Sequence, residues 1–356
     1  MRIPHSLAFA YGRTDANFVH DDRARRLHLR IVMNRRLAMI LGVLVSPACS
    51  SPSTTSPSSP PDSPVVATPA IWLQRSSSID PTVLPLRDQA YLTSGPKKGF
   101  MFVCDPRAFS QVGGPGARAQ GSWLHAAAKT YDVTKKLFVQ GNVYRDDARF
   151  TITTTDDART ISGNGLPFGV PSGLFPVQPS DPAAAYDPNP NEITPQTIAF
   201  SIPRNPTVDD SPSCTYKRIG ITLDGVQLHG PLDSEGRDEM AYQLQDVCSG
   251  AAEPGGAYHR HALSECTPHI HERNALVGYA LDGFGIFSPY DKDGNELTTA
   301  DLDECHGTTS QIEWEGRAVT MYHYVLTRDF PYSVSCFRGK PTRNAFPALP
   351  GAPVER

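Results

Sequence analysis

Closely spaced histidines are the residues of this chain best suited to do chemistry. His259 and His261 lie two positions apart in the sequence Tyr-His-Arg-His at 258–261. In an extended strand both side chains would point to the same face of a sheet. Neutral imidazole nitrogens suit zinc and copper ions, so the pair predicts a transition-metal site.

Two further histidines complete the predicted site. His323 occupies the same place in the sequence Tyr-His-Tyr-Val at 322–325, and His306 follows a cysteine. If the two segments pack about a twofold axis, His323 joins the pair on one ion, and His306 or a water is the fourth ligand of a tetrahedral shell. The alternative is that these histidines are core or surface residues that bond to backbone and carboxylate groups. A second His-x-His pair, His269 and His271, lies next to a proline and is interpreted as an exposed loop.

Three classes of function follow from this pattern. The first is an exported metal-binding domain without turnover, with Zn or Cu as the ion. The second is a metal-dependent hydrolase or oxidase that uses a metal-bound water, and the third is a structural or adhesive module without metal. The sequence contains neither G-x-S-x-G nor H-E-x-x-H, so no catalytic residue is assigned and enzymatic activity stays an open question.

The elements that must position the histidines form a tandem repeat. Residues 219–228 and 277–286 both read aliphatic-Gly-x-x-Leu-Asp-Gly-x-x-aliphatic, with an offset of 58 residues. An acidic turn, a Cys-x-Gly sequence and a Tyr-His sequence then follow in both copies. We therefore expect a duplicated C-terminal half, made of a first unit (about 217–266) and a second unit (about 275–336). In each unit an Asp-Gly turn between two short strands predicts a hairpin.

Composition favours a mixed, β-dominated (α+β) fold over a helical bundle. The 356 residues include 33 Pro and 28 Gly, and 39% are hydrophobic, which is typical of turn-rich structure. Short runs rich in β-branched and aromatic residues predict strands at 100–104, 136–140, 149–153 and 197–203.

The N-terminus carries an export signal. Two arginines precede nine apolar residues at 37–45, a run too short to span a bilayer core of about 30 Å. We assign the signal to 33–48, with Met33 as the start and 1–32 as a mis-annotated or untranslated leader. A genuine long leader that begins at Met1 is the alternative.

A candidate lipid anchor follows the signal. The sequence Ser-Pro-Ala-Cys-Ser-Ser at 46–51 is similar to a bacterial lipoprotein cleavage site. Cys49 is therefore the predicted lipidation site and the membrane is the predicted partner. Cleavage and release without lipidation is the alternative. The predicted location is accordingly the cell envelope, in the outer membrane or periplasm, or outside the cell.

The remaining chain is acidic. Residues 1–48 hold eight Arg and three Asp, so 25 basic and 34 acidic residues remain, for a net charge of −9. This charge argues against nucleic acid as a partner, because such binding depends on basic residues.

Composition also predicts the order of the segments. The Ser- and Pro-rich residues 49–70 are a disordered linker. We expect a β-rich N-terminal part at 71–215, the duplicated core at 216–345 and a tail at 346–356.

Six cysteines besides Cys49 predict disulfides, because an even number in an exported chain is typical of a disulfide framework. Six cysteines allow many pairings, and the repeat selects one of them. The two cysteines within each unit pair with each other, and the two cysteines upstream of the units form the third pair. The predicted disulfides are Cys248–Cys266, Cys305–Cys336 and Cys104–Cys214.

Several motifs resemble the YHYH-domain family of bacteria and eukaryotes. They are Tyr-His-x-His at 258–261, Gly-Tyr-Ala-Leu-Asp-Gly-Phe at 278–284, Leu-Asp-Glu-Cys at 302–305 and Cys-Phe-Arg-Gly at 336–339. The likeness spans roughly 160–345 and implies a secreted or surface-attached domain. The motif that names the family is incomplete in both units, because Arg260 replaces its second tyrosine and Val325 its second histidine.

Overall fold

The computed structural model describes residues 79–106 and 120–342. This part of the chain consists mostly of β-strands, with one α-helix of a single turn. The β-dominated prediction is therefore confirmed. The described residues also contain four short 3-10 helices: Ala126–Ala128, Val133–Lys135, Pro182–Ala185 and Thr299–Asp301.

Eight short strands precede residue 218 and form three small sheets, in the orders β1-β5-β4, β2-β3 and β6-β7-β8. They are β1 (Leu84–Pro85), β2 (Tyr91–Leu92), β3 (Met101–Phe102), β4 (Leu124–His125), β5 (Thr130–Tyr131), β6 (Phe150–Thr154), β7 (Ala158–Gly163) and β8 (Ile198–Pro203). Three of the four predicted strand runs coincide with β3, β6 and β8. The run at 136–140 forms only an isolated bridge between Val139 and Asp246, and its first residue, Lys136, is the C-cap of a 3-10 helix.

The C-terminal half forms one eight-stranded sheet. Its elements are β9 (Arg218–Thr222), β10 (Gln227–His229), α1 (Glu239–Tyr242), β11 (Gly250–Ala252), β12 (Tyr258–Arg260), β13 (Leu276–Ala280), β14 (Gly285–Phe287), β15 (Gly307–Trp314) and β16 (Arg317–Val325). The strand order is β11-β12-β10-β9-β13-β14-β16-β15. The four strands of the first unit therefore occupy one half of the sheet and those of the second unit the other half.

The two halves of the sheet have the same internal order, read outward from the centre. The central pair β9 and β13 is antiparallel, and Ile221 lies opposite Tyr279. These two residues are 58 positions apart, which is the offset of the sequence repeat. Each unit continues with an antiparallel hairpin and then a parallel strand, β12 beside β10 and β16 beside β14. The predicted Asp-Gly hairpin turns have Gly225 and Gly283 at positive φ, of 76° and 91°, which glycine adopts without steric cost.

Three disulfides cross-link the described residues: Cys104–Cys214, Cys248–Cys266 and Cys305–Cys336. These are the same three pairs that the repeat selects. Disulfides persist in oxidising compartments, so the three bonds indicate an extracytoplasmic location. Within 79–106 and 120–342, no helix is both long enough and apolar enough to cross a bilayer.

The predicted leader, export signal, linker and tail, at 1–32, 33–48, 49–70 and 346–356, lie outside the described residues, as does Cys49. The predicted boundary between 71–215 and 216–345 stays a prediction.

Candidate metal centre

Three histidines meet on one face of the first unit. His229 ends β10, His259 lies in the middle of β12, and His261 directly follows β12. The two strands are parallel, and Gln227 of β10 lies opposite His259. Residues two apart on a strand share a face, so this pairing places His229 beside His259 and His261.

The three rings form a compact group. The His229 and His259 rings are stacked, with centroids 4.3 Å apart. The His261 ring meets the other two edge-on, at 4.8 Å from His259 and 5.6 Å from His229. One potential ligand nitrogen of each ring lies within 4.8 Å of those of the others, and among the described residues this is the group suited to hold an ion.

Hydrogen bonds fix which nitrogen of two of these rings is free. The Nδ1–H of His261 donates to the carbonyl of Gly230, and that of His259 donates to the carbonyl of Ala257 at 3.4 Å. A carbonyl oxygen only accepts, so in both rings Nε2 carries the lone pair. This arrangement is typical of histidines that ligate a metal through Nε2.

Several of the ring nitrogens are buried without a partner. His229 is fully buried, and His259 and His261 are each 3% exposed. Within the described residues, neither nitrogen of His229 nor Nε2 of His261 has a hydrogen-bond partner. Buried polar atoms in native proteins are nearly always satisfied, so these nitrogens could bind a ligand.

Burial lowers the pKa of all three imidazoles, that of His261 to about 3, and the positive charge of Lys217 acts in the same direction. The three rings are therefore neutral near neutral pH. Neutral imidazole is the form that binds a metal.

One carboxyl group lies next to this group. Glu239 is the first residue of α1, and its Oε1 is 3.5 Å from Nε2 of His261. Burial raises the pKa of Glu239 to about 8, and the charge of Asp233 acts in the same direction. Without a cation this side chain is therefore mostly protonated near neutral pH.

The structure brings together two of the four predicted ligands, His259 and His261, and does not bring His323 or His306 to them. The ring of His323 packs against Phe287, with centroids 4.8 Å apart, and its Nδ1–H donates to the carbonyl of Met321 at 3.2 Å. Nε2 of His306 lies 2.9 Å from Oγ1 of Thr327.

The sheet order explains the separation of His323 from the pair. Four strands lie between β12 and β16. At about 4.8 Å per strand, the two strands are roughly 24 Å apart. The second Tyr-His sequence therefore lies at the far side of the sheet, where it cannot share an ion with His259.

His229 was not among the predicted ligands. It lies one residue beyond the repeated segment 219–228, so the hairpin pattern itself did not mark it. The second His-x-His pair is exposed, as expected. His269 and His271 contact Glu272 and Glu265, at 2.8 and 2.6 Å.

The fold and this site define a disulfide-linked β-sheet protein with a buried three-histidine group. The family model described as YHYH protein matches residues 199–299, which extend from β8 past β14 and include all three histidines. This match confirms, for residues 199–299, the resemblance found in the sequence. Comparison with curated proteins and with solved structures gives no match.

Proposed function

We propose that the protein binds a divalent transition-metal ion, Zn²⁺ or Cu²⁺, through His229, His259 and His261, and that it does so outside the cytoplasm. The observation that carries this proposal is the set of buried ring nitrogens that have no partner. Three neutral imidazoles on one face match the donors that these ions prefer. An ion would coordinate the imidazole lone pairs that have no hydrogen-bond partner in the protein.

The burial of the three histidines favours binding over turnover. A catalytic ion needs an open coordination position that substrate can reach, and no histidine of this group is more than 3% exposed. A metal-dependent hydrolase or oxidase is therefore the second candidate. The third candidate, a structural module without metal, leaves the bare nitrogens of His229 without an explanation.

The proposal includes two features of the whole chain. One is attachment to the envelope membrane through a lipid on Cys49, which the three disulfides support by indicating export. The other is a duplication that produced the first and second units. It is supported by the shared 58-residue offset of the sequence repeat and of the central strand pair.

The test is the metal content of the full chain, expressed with its export signal. We expect about one ion per chain in the unmodified protein. His229→Ala, His259→Ala and His261→Ala should each lower metal affinity by more than the roughly 10–100-fold that loss of an outer-shell partner costs. His323→Ala, in the corresponding Tyr-His sequence of the second unit, is the matched control and should keep the ion.

Circular dichroism and disulfide mapping would verify that each variant is folded. Metal-free wild-type protein after supplementation with Zn²⁺ and Cu²⁺ would contradict the proposal. Equal metal content in the His259→Ala and His323→Ala proteins would contradict it as well.

A further inference from the structure

The contact between Glu239 and His261 is neither a hydrogen bond nor an ion pair. Nδ1 of His261 carries the proton that it donates to Gly230, so Nε2 faces Glu239 as a bare lone pair. The 3.5 Å between Nε2 and Oε1 exceeds the roughly 2.7–3.2 Å of a hydrogen bond to nitrogen. The two atoms therefore lie in a buried site too far apart for a direct hydrogen bond, whether or not the carboxyl group carries a proton.

The same distance fits two ligands of one ion. Zinc lies about 2.0–2.1 Å from histidine nitrogen and about 2.0–2.2 Å from carboxylate oxygen. In a tetrahedral shell, two such ligand atoms are about 3.3–3.5 Å apart. The observed separation therefore corresponds to one edge of a coordination tetrahedron.

Charge gives a second, independent argument. A divalent ion on three neutral imidazoles would leave two positive charges buried, which is costly without a counter-charge. Lys217 adds positive charge near the histidines. The buried carboxylate of Glu253 already pairs with Lys217, which leaves Glu239 as the carboxyl in contact with the three-histidine group.

The second unit gives a third argument. Glu239 N donates to the carbonyl of Pro231 at 2.9 Å, and Leu297 N donates to that of Pro289 at 2.7 Å. The donor and the acceptor of the second bond each lie 58 residues after those of the first, which is the offset of the repeat. Leu297 therefore occupies the position of Glu239. His229 has Phe287 at its position by the same offset.

The strand register completes this correspondence. Arg260 lies opposite Leu228 in the first unit, and Tyr324 lies opposite Ile286 in the second. The residues that follow are His261 and Val325. Glutamate and two histidines of the first unit are therefore all replaced by apolar residues in the second, as expected if the three act together on one ligand.

We infer that Glu239 is the fourth ligand of the proposed ion and that it closes the site on a divalent cation of the Zn²⁺ type. This inference rests on the proposed function. A carboxylate oxygen is a ligand that zinc accepts, whereas Cu⁺ is selected by soft sulfur donors. A closed shell of three histidines and one glutamate holds the ion without a position for substrate.

The test compares Zn²⁺ and Cu⁺ binding by competition titration, on the full chain and on its Glu239→Gln variant. We expect Zn²⁺ affinity to fall about 100-fold or more, which is about 2.7 kcal/mol or more, and Cu⁺ affinity to change less than about 3-fold. Glu265→Gln is the matched control, because Glu265 also contacts a histidine, His271, at 2.6 Å, but outside the site. Its Zn²⁺ affinity should equal that of the wild type.

X-ray absorption on the Zn²⁺-loaded wild type gives a result that needs no variant, and we expect three nitrogen ligands and one carboxylate oxygen. Glu239→Leu, which copies the second unit, replaces Glu239→Gln if the latter fails to fold. Unchanged Zn²⁺ affinity in the glutamate variant, or a shell of three nitrogens and a water, would overturn the inference while leaving the proposed function intact. Absence of metal from the wild type would instead overturn the proposed function.

Discussion

The first and second units have the same order of strands and differ in the side chains that these strands carry. Each has a hairpin near the centre of the sheet, a parallel strand beside the hairpin and a disulfide between a cysteine before that strand and a cysteine after it. In each, a tyrosine hydroxyl donates to an aspartate that also accepts from the backbone of a Cys-x-Gly segment. These pairs are Tyr258 with Asp246 and Tyr322 with Asp303.

The difference separates what the fold requires from what a ligand would require. The second unit forms the same strands with Phe287 and Val325 where the first has His229 and His261. The sheet therefore does not need these histidines. Buried imidazoles without partners are a cost that apolar residues avoid, so their presence in the first unit points to a function.

A second contrast concerns the aspartate of each hairpin turn. In the first unit Asp224 forms an ion pair with Arg260 at 2.6 Å, and both side chains are fully buried. In the second unit Asp282 accepts a hydrogen bond from the hydroxyl of Tyr324, also at 2.6 Å. The sheet thus accommodates either a charged or a neutral partner for the same turn.

Exchanging the ligand sets of the two units should have the largest effect. Phe287→His, Leu297→Glu and Val325→His together should give the second unit its own ion, because they restore the donor set around His323. We expect two ions per chain instead of one. Micromolar affinity for the second ion would correspond to about 8 kcal/mol of binding free energy, and elemental analysis with calorimetry would measure both quantities.

The reverse exchange is the matched control. His229→Phe, Glu239→Leu and His261→Val should abolish binding and raise the thermal stability of the metal-free protein, because buried polar atoms without partners are removed. The comparison between the units would be contradicted if the variant with the added ligands in the second unit bound a single ion and the variant without the ligands of the first unit failed to fold.

Removing the guanidinium of Arg260 should have the next largest effect. Arg260→Ala leaves the buried Asp224 charge unpaired, which we expect to cost about 3–5 kcal/mol of unfolding free energy. Tyr324→Phe removes one hydrogen bond to Asp282 and should cost about 1–3 kcal/mol. Urea denaturation at neutral pH measures both, and a smaller loss for Arg260→Ala than for Tyr324→Phe would contradict the expectation.

Local patterns in the sequence were sufficient to predict some of these features. Asp-Gly turns between apolar runs predicted both hairpins, and two-residue spacing placed His259 and His261 on one face. These features depend on neighbours within a few residues. The arrangement of the strands does not, because a repeat is compatible with units that face each other and with units that lie side by side.

His229 and Glu239 illustrate what the sequence could not provide. His229 meets the other histidines only through the parallel pairing of β10 with β12, which is a contact over about 30 residues of sequence. Glu239 lies on a single-turn helix with no periodic pattern. Comparing the two units position by position would have found both, because Phe287 and Leu297 replace them.

The smallest predicted effect concerns the two corresponding tyrosines, Tyr258 and Tyr322, and depends on how far water can reach their aspartates. Asp246 is 2% exposed and accepts from the Tyr258 hydroxyl at 2.8 Å. The side chain of Asp303 is 25% exposed and accepts from Tyr322 at 3.1 Å.

Tyr258→Phe therefore removes a hydrogen-bond donor from a buried carboxylate and should lower the free energy of unfolding by about 1.5–3 kcal/mol. In Tyr322→Phe water can replace the lost hydroxyl, so the free energy of unfolding should fall by only about 0.5–1.5 kcal/mol. Tyr144→Phe is the control and should be neutral, because Tyr144 is 59% exposed. Urea denaturation at neutral pH gives the three free energies of unfolding. Equal losses of unfolding free energy in Tyr258→Phe and Tyr322→Phe would mean that burial of the aspartate does not determine the strength of this hydrogen bond. The corresponding bonds of the two units would then contribute equally to stability.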